Sequence, residues 1–203
     1  ILVMFTLINW HDVTTFSTFE KVFRAALFQV SSCMTTTGFV TADYMLWKPV
    51  TWVIIIMVML VGSSAGSTCG GIKMVRIVIV FKYMYAEFKR LIHPNAIIPI
   101  TYSREIIKND VVNRVIAFVL LYLFIVVVGF VILSISGMGF LESIGAMVTC
   151  QGGVGPGLGI VGPAFSFSEI PAFSKWFLSF IMLVGRLELY TILLLFTPVF
   201  WKK

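Results

Sequence analysis

The chain has 203 residues, of which 59% are hydrophobic and 12% charged, with a mean hydropathy of +1.02. Soluble domains average roughly 45–50% apolar and about 25% charged residues, so this composition belongs in a membrane. The net charge of +6 does not indicate nucleic acid, since the basic residues gather between apolar runs, and Cys33, Cys69 and Cys150 lack the CxxC or Cys/His spacing of a disulfide framework or zinc site.

Ile1 to Trp10 is apolar but has neither a basic flank nor a small-residue cleavage site, so it does not read as a signal peptide. A spanning helix needs about 20 apolar residues, and this opening reads as the tail of a truncated transmembrane helix. Ser17-Thr18-Phe19-Glu20 fits a capping box, in which Ser17 caps the Glu20 amide and the Glu20 side chain returns to the Ser17 N–H. Phe16, Phe19, Phe23, Ala26, Leu27 and Val30 recur at helical spacing and predict a helix over about 18–33. At roughly 24 Å it is short of a crossing, so it dips in and turns back through a loop at 34–39.

Trp47 to Val61 is the next apolar run, roughly 22 Å long as a helix against a hydrocarbon core of about 30 Å. Ten small residues follow, Gly62-Ser63-Ser64-Ala65-Gly66-Ser67-Thr68-Cys69-Gly70-Gly71, and their four glycines oppose a continuous helix. Non-helical backbone at this depth must be buried in protein or line a watery cavity. The apolar pattern resumes after Ile72, predicting one broken span over 47–91.

The segment from Lys82 to Arg114 carries six Lys and Arg residues against Glu87, Glu105 and Asp110, which places it in the cytoplasm by the positive-inside rule. A linker at 96–110 divides the chain into 1–95 and 111–203. Val115 to Ser134 reads as an outward span, Phe140 to Cys150 as a second short helix, 151–157 as its loop and Phe173 to Phe200 as the return span. Trp201-Lys202-Lys203 then lies at the inner interface. The predicted fold is an all-α integral membrane protein of repeated span–pore-helix–loop–span units.

The two loops are copies. Cys33 and Gly38 of the first align with Cys150 and Gly155 of the second at one offset of 117 residues, without a gap. Gly38 and Gly155 permit the φ > 0 conformations that let consecutive carbonyls aim at an axis, where they replace the hydration shell of a cation. The short helices direct their negative C-terminal dipoles at the same cavity. Both loops enter from the same side, unlike the inverted repeats common among secondary transporters, and this favours a channel-like permease over that alternative.

Other motifs weigh less. Gly62-Ser63-Ser64-Ala65-Gly66 matches GxSxG, but no strand–turn–helix surrounds it, and His93 in the basic loop is the one downstream histidine; an enzyme is not expected. Gly66 to Lys73 departs from a P-loop, because Ile72 separates glycine from lysine. His11 and His93 stand singly at predicted span ends. Lys73 and Arg76 fit either pore-facing charges or interface anchors, whereas Arg186, placed inside an apolar helix, costs about 2.5–3.5 kcal/mol and must face protein or water. Aligning Gly62 with Gly185 sets Arg186 level with the small-residue stretch.

The Thr35-Thr36-Thr37-Gly38-Phe39 loop, the Gly62 to Lys73 stretch, the Gly153-Val154-Gly155-Pro156-Gly157 loop and Gly185-Arg186-Leu187-Glu188 occur in an order that resembles the Trk/Ktr/HKT superfamily of potassium transporters. The chain is most similar to the C-terminal half of a bacterial TrkH-type subunit. The resemblance implies four pore repeats around one pore, with 1–95 as the third and 111–203 as the fourth. It implies an ion-binding filter of Thr35, Thr36, Thr37 and Gly38 with Gly152, Gly153, Val154 and Gly155, holding potassium as the transported ion and no cofactor. Gly153 stands where the family usually has Asn or Asp, which removes a brace from that loop.

The same resemblance makes Gly62, Ser63, Ser64, Ala65, Gly66, Ser67, Thr68, Cys69, Gly70 and Gly71 an intramembrane gating loop faced by Arg186, with Lys73 a second charge at the gate. It also implies potassium uptake across the plasma membrane, a homodimer, and a cytoplasmic nucleotide-binding regulatory subunit docking near 82–114 and the C-terminus. Half a filter does not close a ring, so the partners expected include membrane lipid and either the missing N-terminal repeats or a second chain. A non-conducting assembly fragment is the other alternative.

Overall fold

The computed structural model of the protein describes residues 16–64, 66–67, 69–93, 98–102, 105–187, 189–196 and 201. Ile1 to Trp10, His11, Ala65, Thr68 and Glu188 lie outside them. In chain order the helices are α1 (Phe16–Met34), α2 (Pro49–Val61), α3 (Met74–Ile92), α4 (Asn109–Ile135), α5 (Phe140–Gly152), α6 (Ala172–Arg186) and α7 (Leu189–Phe196). Single 3-10 turns at Tyr44–Leu46, Gly159–Val161 and Phe167–Glu169 shape the connections.

Several boundaries differ from the sequence reading. Phe16 is already helical, so Ser17 lies inside α1 and is not its N-cap. Pro49 sits in the first turn of α2, where its missing N–H costs nothing. The basic connection is not wholly helical or irregular: Thr101–Tyr102 (β1) and Glu105–Ile106 (β2) pair antiparallel, a two-rung hairpin too short to leave an alternating pattern in the sequence. The stretch expected to run unbroken from Phe173 to Phe200 instead ends as helix at Arg186, bends at Leu187 and restarts at Leu189. Apolar composition carries no sign of this bend, which coincides with the charged residues bracketing Leu187.

Among the described residues α4 alone is long and apolar enough to cross a membrane, with 27 residues or about 40 Å. At the centre stands α5, which is only 13 residues long yet buried from Gly145 through Gly152. Its N-terminus is held by Glu142, whose carboxylate accepts the Gly139 N–H at 3.0 Å and offsets the positive end of the helix dipole. One face of α5, through Val148, joins Ala26, Val30 and Cys33 of α1 and Ile55 and Met59 of α2. Another, through Ala146, Met147 and Cys150, meets Leu133 of α4 and Leu178 and Ile181 of α6. A short helix thus becomes the core around which four others pack.

Glycine permits two close approaches to α5. A Cβ on Gly145 would lie 2.6 Å from the Leu158 backbone nitrogen, whereas one on Gly129 of α4 would meet only the flexible end of Met147. Gly145→Ala should therefore cost about 1–3 kcal/mol by overpacking against backbone, and Gly129→Ala well under that, since its methionine can move. Thermal unfolding in detergent checks the order; equal melting temperatures for the two variants would refute it.

Candidate ion pathway

The two loops repeat a pair of backbone hydrogen bonds at the 117-residue offset. After α1, the Thr36 N–H donates to the Cys33 carbonyl at 3.3 Å and the Thr37 N–H to the Ser32 carbonyl at 3.0 Å. After α5, Gly153 donates to Cys150 at 3.3 Å and Val154 to Thr149 at 3.0 Å. The backbone follows suit: φ is +54° at Thr36 and +70° at Gly153, then +78° at Gly38 and +113° at Gly155. A left-handed threonine is strained, while glycine adopts this region freely.

A side-chain brace repeats as well. Ser32 Oγ donates to the Phe39 carbonyl at 2.7 Å, and Thr149 Oγ1 to the Pro156 carbonyl at 3.0 Å, each reaching seven residues ahead. Thr149 does more, because its hydroxyl also accepts the Gly155 N–H at 3.0 Å. The second loop has a further tie from outside its repeat: Tyr44 Oη donates to the Gly157 carbonyl at 2.5 Å, and Trp52 Nε1 donates to the Tyr44 carbonyl at 2.9 Å. Burial first, then the nearby Cys33 and Asp43, pushes the Tyr44 phenol above its ordinary range, so it remains a neutral donor.

The loops abut. The Cα of Gly38 faces the Val154 carbonyl oxygen so closely that a Cβ there would collide with it, and the same Cβ would lie 3.3 Å from Pro156 Cδ. Val154 is buried while Gly153 and Gly155 are exposed, and Thr35 and Thr37 are exposed with Thr36 and Gly38 half-buried. Gly152 differs from the others, as it closes the last turn of α5 and is buried.

Beneath them lies the break between α2 and α3. Its neck is Gly62 against Gly71, where a Cβ on Gly71 would come within 2.6 Å of the Gly62 Cα. Ile72 N–H to the Leu60 carbonyl (2.9 Å) and Met74 N–H to the Ser63 carbonyl (3.1 Å) close it into an Ω-like loop. Lys73 leaves the loop at φ +63° and is half-buried. The tip touches the first loop and the ends of two helices: Cys69 Sγ accepts from Thr36 Oγ1 at 3.1 Å, and a Cβ on Gly70 would lie 2.6 Å from the Gln151 carbonyl oxygen of α5 and 3.1 Å from that of Gly185 in α6. Gly185 itself packs against the Gln151 carbonyl, and Arg186, exposed in this chain, ends α6 beside this junction.

The whole chain, residues 1–203, matches the family of TrkH cation transport proteins. The chain belongs to the TrkH family. It is 35% identical over 204 residues to the Trk system potassium uptake protein TrkH of Escherichia coli K12, covering 100% of this chain and 41% of that protein. With the Trk system potassium uptake protein TrkI of Halomonas elongata it shares 35% identity over 178 residues, covering 87% of this chain and 36% of that one. The crystal structure of the potassium transporter TrkH from Vibrio parahaemolyticus superposes with a TM-score of 0.87 at 36% identity, covering 99% of this chain and 42% of that one. The chain spans about two-fifths of the length of the relatives it matches. Its fold is that of an all-α membrane transporter.

In this TrkH-family chain the candidate residues named from sequence collect in one region, apart from Ala65 and Thr68, which lie outside the described residues. Arg76 goes elsewhere, its guanidinium stacking 3.8 Å over the Phe118 ring of α4. Sequence reasoning missed Ser32, Thr149 and Tyr44. The first two carry a detectable signal, since 32 and 149 differ by the same 117 and both are hydroxyl residues. Tyr44, 113 residues from Gly157, carries none.

Thr149→Val leaves the Gly155 N–H and the Pro156 carbonyl short of partners, and Ser32→Ala leaves only the Phe39 carbonyl. The first should destabilise by about 1–3 kcal/mol and the second by about half as much. Melting temperatures of the purified variants should fall in that order; the reverse order would contradict the brace.

Proposed function

We propose that this chain contributes half of a potassium pore: Thr35, Thr36, Thr37 and Gly38, together with Gly152, Gly153, Val154 and Gly155, offer carbonyls to a dehydrated cation. The observation that carries this reading is the repetition of hydrogen bonds, brace and positive φ in two adjoining loops. Any helix end can share the backbone bonds and the first positive φ as a C-cap, but the brace seven residues ahead and the second positive φ at Gly38 and Gly155 go beyond one, and a ring of carbonyls needs the same backbone trace from each contributor. Chemistry at the site is binding and passage, with no reacting bond.

Below the filter, Gly62 to Gly71 acts as the gate and Arg186 and Lys73 supply positive charge beside it. Small residues let this segment lie under the loops without a side chain filling the path, and a cation opposes the passage of another cation until it moves. Potassium uptake is what the names of the relatives state for those proteins, and we extend it to the protein that contains this chain. Its remaining contributors are the N-terminal repeats or a second chain, in the plasma membrane with 82–114 and the C-terminus in the cytoplasm. A homodimer and a cytoplasmic nucleotide-binding regulator complete the proposed assembly.

Two measurements test this reading. In cells lacking their own potassium uptake, the chain joined to the N-terminal portion that TrkH relatives carry should restore rubidium influx, and Gly38→Ala should abolish it at unchanged membrane abundance. A Cβ there is strained at φ +78° and strikes the Val154 carbonyl. Arg186→Ala should raise basal cation leak several-fold; unchanged leak would remove Arg186 from the gate.

A further inference from the structure

We infer that Cys69 is a positioning residue for the filter, joining the tip of the α2–α3 break to Thr35 and Thr36; this rests on the filter assignment proposed above. Its sulfur is engaged on three sides. Thr36 Oγ1 donates to it at 3.1 Å, Ser67 Oγ donates at 2.9 Å, and its own S–H faces the Thr35 carbonyl at 3.6 Å. Ser67 closes the arrangement by accepting the Cys69 N–H at 3.3 Å, which fixes the sulfur relative to the loop. The residues joined are 33 and 34 positions apart, so this is tertiary contact and not local turn geometry.

The contact falls where the first filter loop is strained. Thr36 is one of two non-glycine residues with positive φ among those described, the other being Lys73 at the exit of the same break. A β-branched residue in the left-handed region persists only where its surroundings over-determine it, and the Thr36 hydroxyl bound to Cys69 is one such determinant. At the equivalent position of the second loop stands Gly153, which needs no hold and offers none. Among the described residues the tip therefore grips the first loop through a side chain, and at Gly70 it packs by backbone on the last turn of α5, ahead of the second loop. Movement of the break pulls on Thr35 and Thr36 before it disturbs Gly153 and Val154, coupling gate position to the geometry of one filter quarter.

A double-mutant cycle in the protein carrying the N-terminal portion tests this, with the ratio of potassium to sodium influx as the readout and surface abundance as control. Thr36→Val keeps the branched shape and removes the hydroxyl, while Cys69→Ala removes its acceptor. Each should lower the ratio roughly five-fold, the factor carried by about one lost hydrogen bond. The double variant should be no worse than either single one, and Cys69→Ser should recover most of the ratio. If Thr36→Val shifts the ratio and Cys69→Ala does not, or if the two effects multiply, the joint is refuted while the filter stands. If Thr36→Val leaves the ratio unchanged, the joint fails while the filter, built from backbone carbonyls, stands; the filter assignment itself fails if Gly38→Ala leaves rubidium influx and the ratio intact. A loss of abundance without a change of ratio would make Cys69 merely structural and overturn the inference.

Discussion

Backbone that leaves the helix within a membrane has to find partners for its N–H and C=O groups without help from bulk water. In this chain three non-helical segments, 35–39, 153–158 and 62–73, meet that demand chiefly within themselves and from their own flanking helices. The first two tie back to their own preceding helices by matched hydrogen bonds and meet each other at Gly38, while the third closes on itself at Gly62 and Gly71, reaches the first through Cys69 and packs by Gly70 on the last turn of α5. The rest of the fold makes this possible. α5 is too short to span and is surrounded by α1, α2, α4 and α6, so that its C-terminal carbonyls are delivered into the interior and not to either surface.

That arrangement divides the site into stiff and yielding parts. The second loop is held by Thr149 twice, by Tyr44 and Trp52, and by the rigid fit of Gly145 against Leu158. The first loop has the Ser32 brace, the Thr35 hydroxyl on the Ser31 carbonyl, and a strained Thr36 whose tie runs to Cys69 of the break and not to its own repeat. Asymmetry of this kind is compatible with an ion pathway in which one quarter responds to the gate while its neighbour keeps its shape.

Much of this was legible in the amino-acid sequence, for physical reasons. Hydropathy dictates the apolar helices, four glycines in ten small residues end α2 at Gly62, and a gap-free offset exposes the paired loops. The family likewise follows from residues in order, and the match across residues 1–203 agrees. Illegible were features decided by tertiary contact. The bend at Leu187 falls in a long apolar run, between the charged Arg186 and Glu188, the hairpin at Thr101–Ile106 is too short for a pattern, and Ser17 resembles a cap but sits inside a helix. Within the candidate site, spacing could nominate Gly38 and Gly155 but not show that Gly38 lies on the Val154 carbonyl, nor that Cys69 reaches Thr36.

The central claim is that the two abutting loops bind one dehydrated cation between them. Anomalous diffraction from crystals of the protein grown with rubidium or thallium in place of potassium tests it most directly. The account predicts a peak coordinated by carbonyls of both loops, weakened by Gly38→Ala. A protein that transports rubidium yet shows its ion elsewhere, with none between Thr36–Gly38 and Gly153–Gly155, would contradict it.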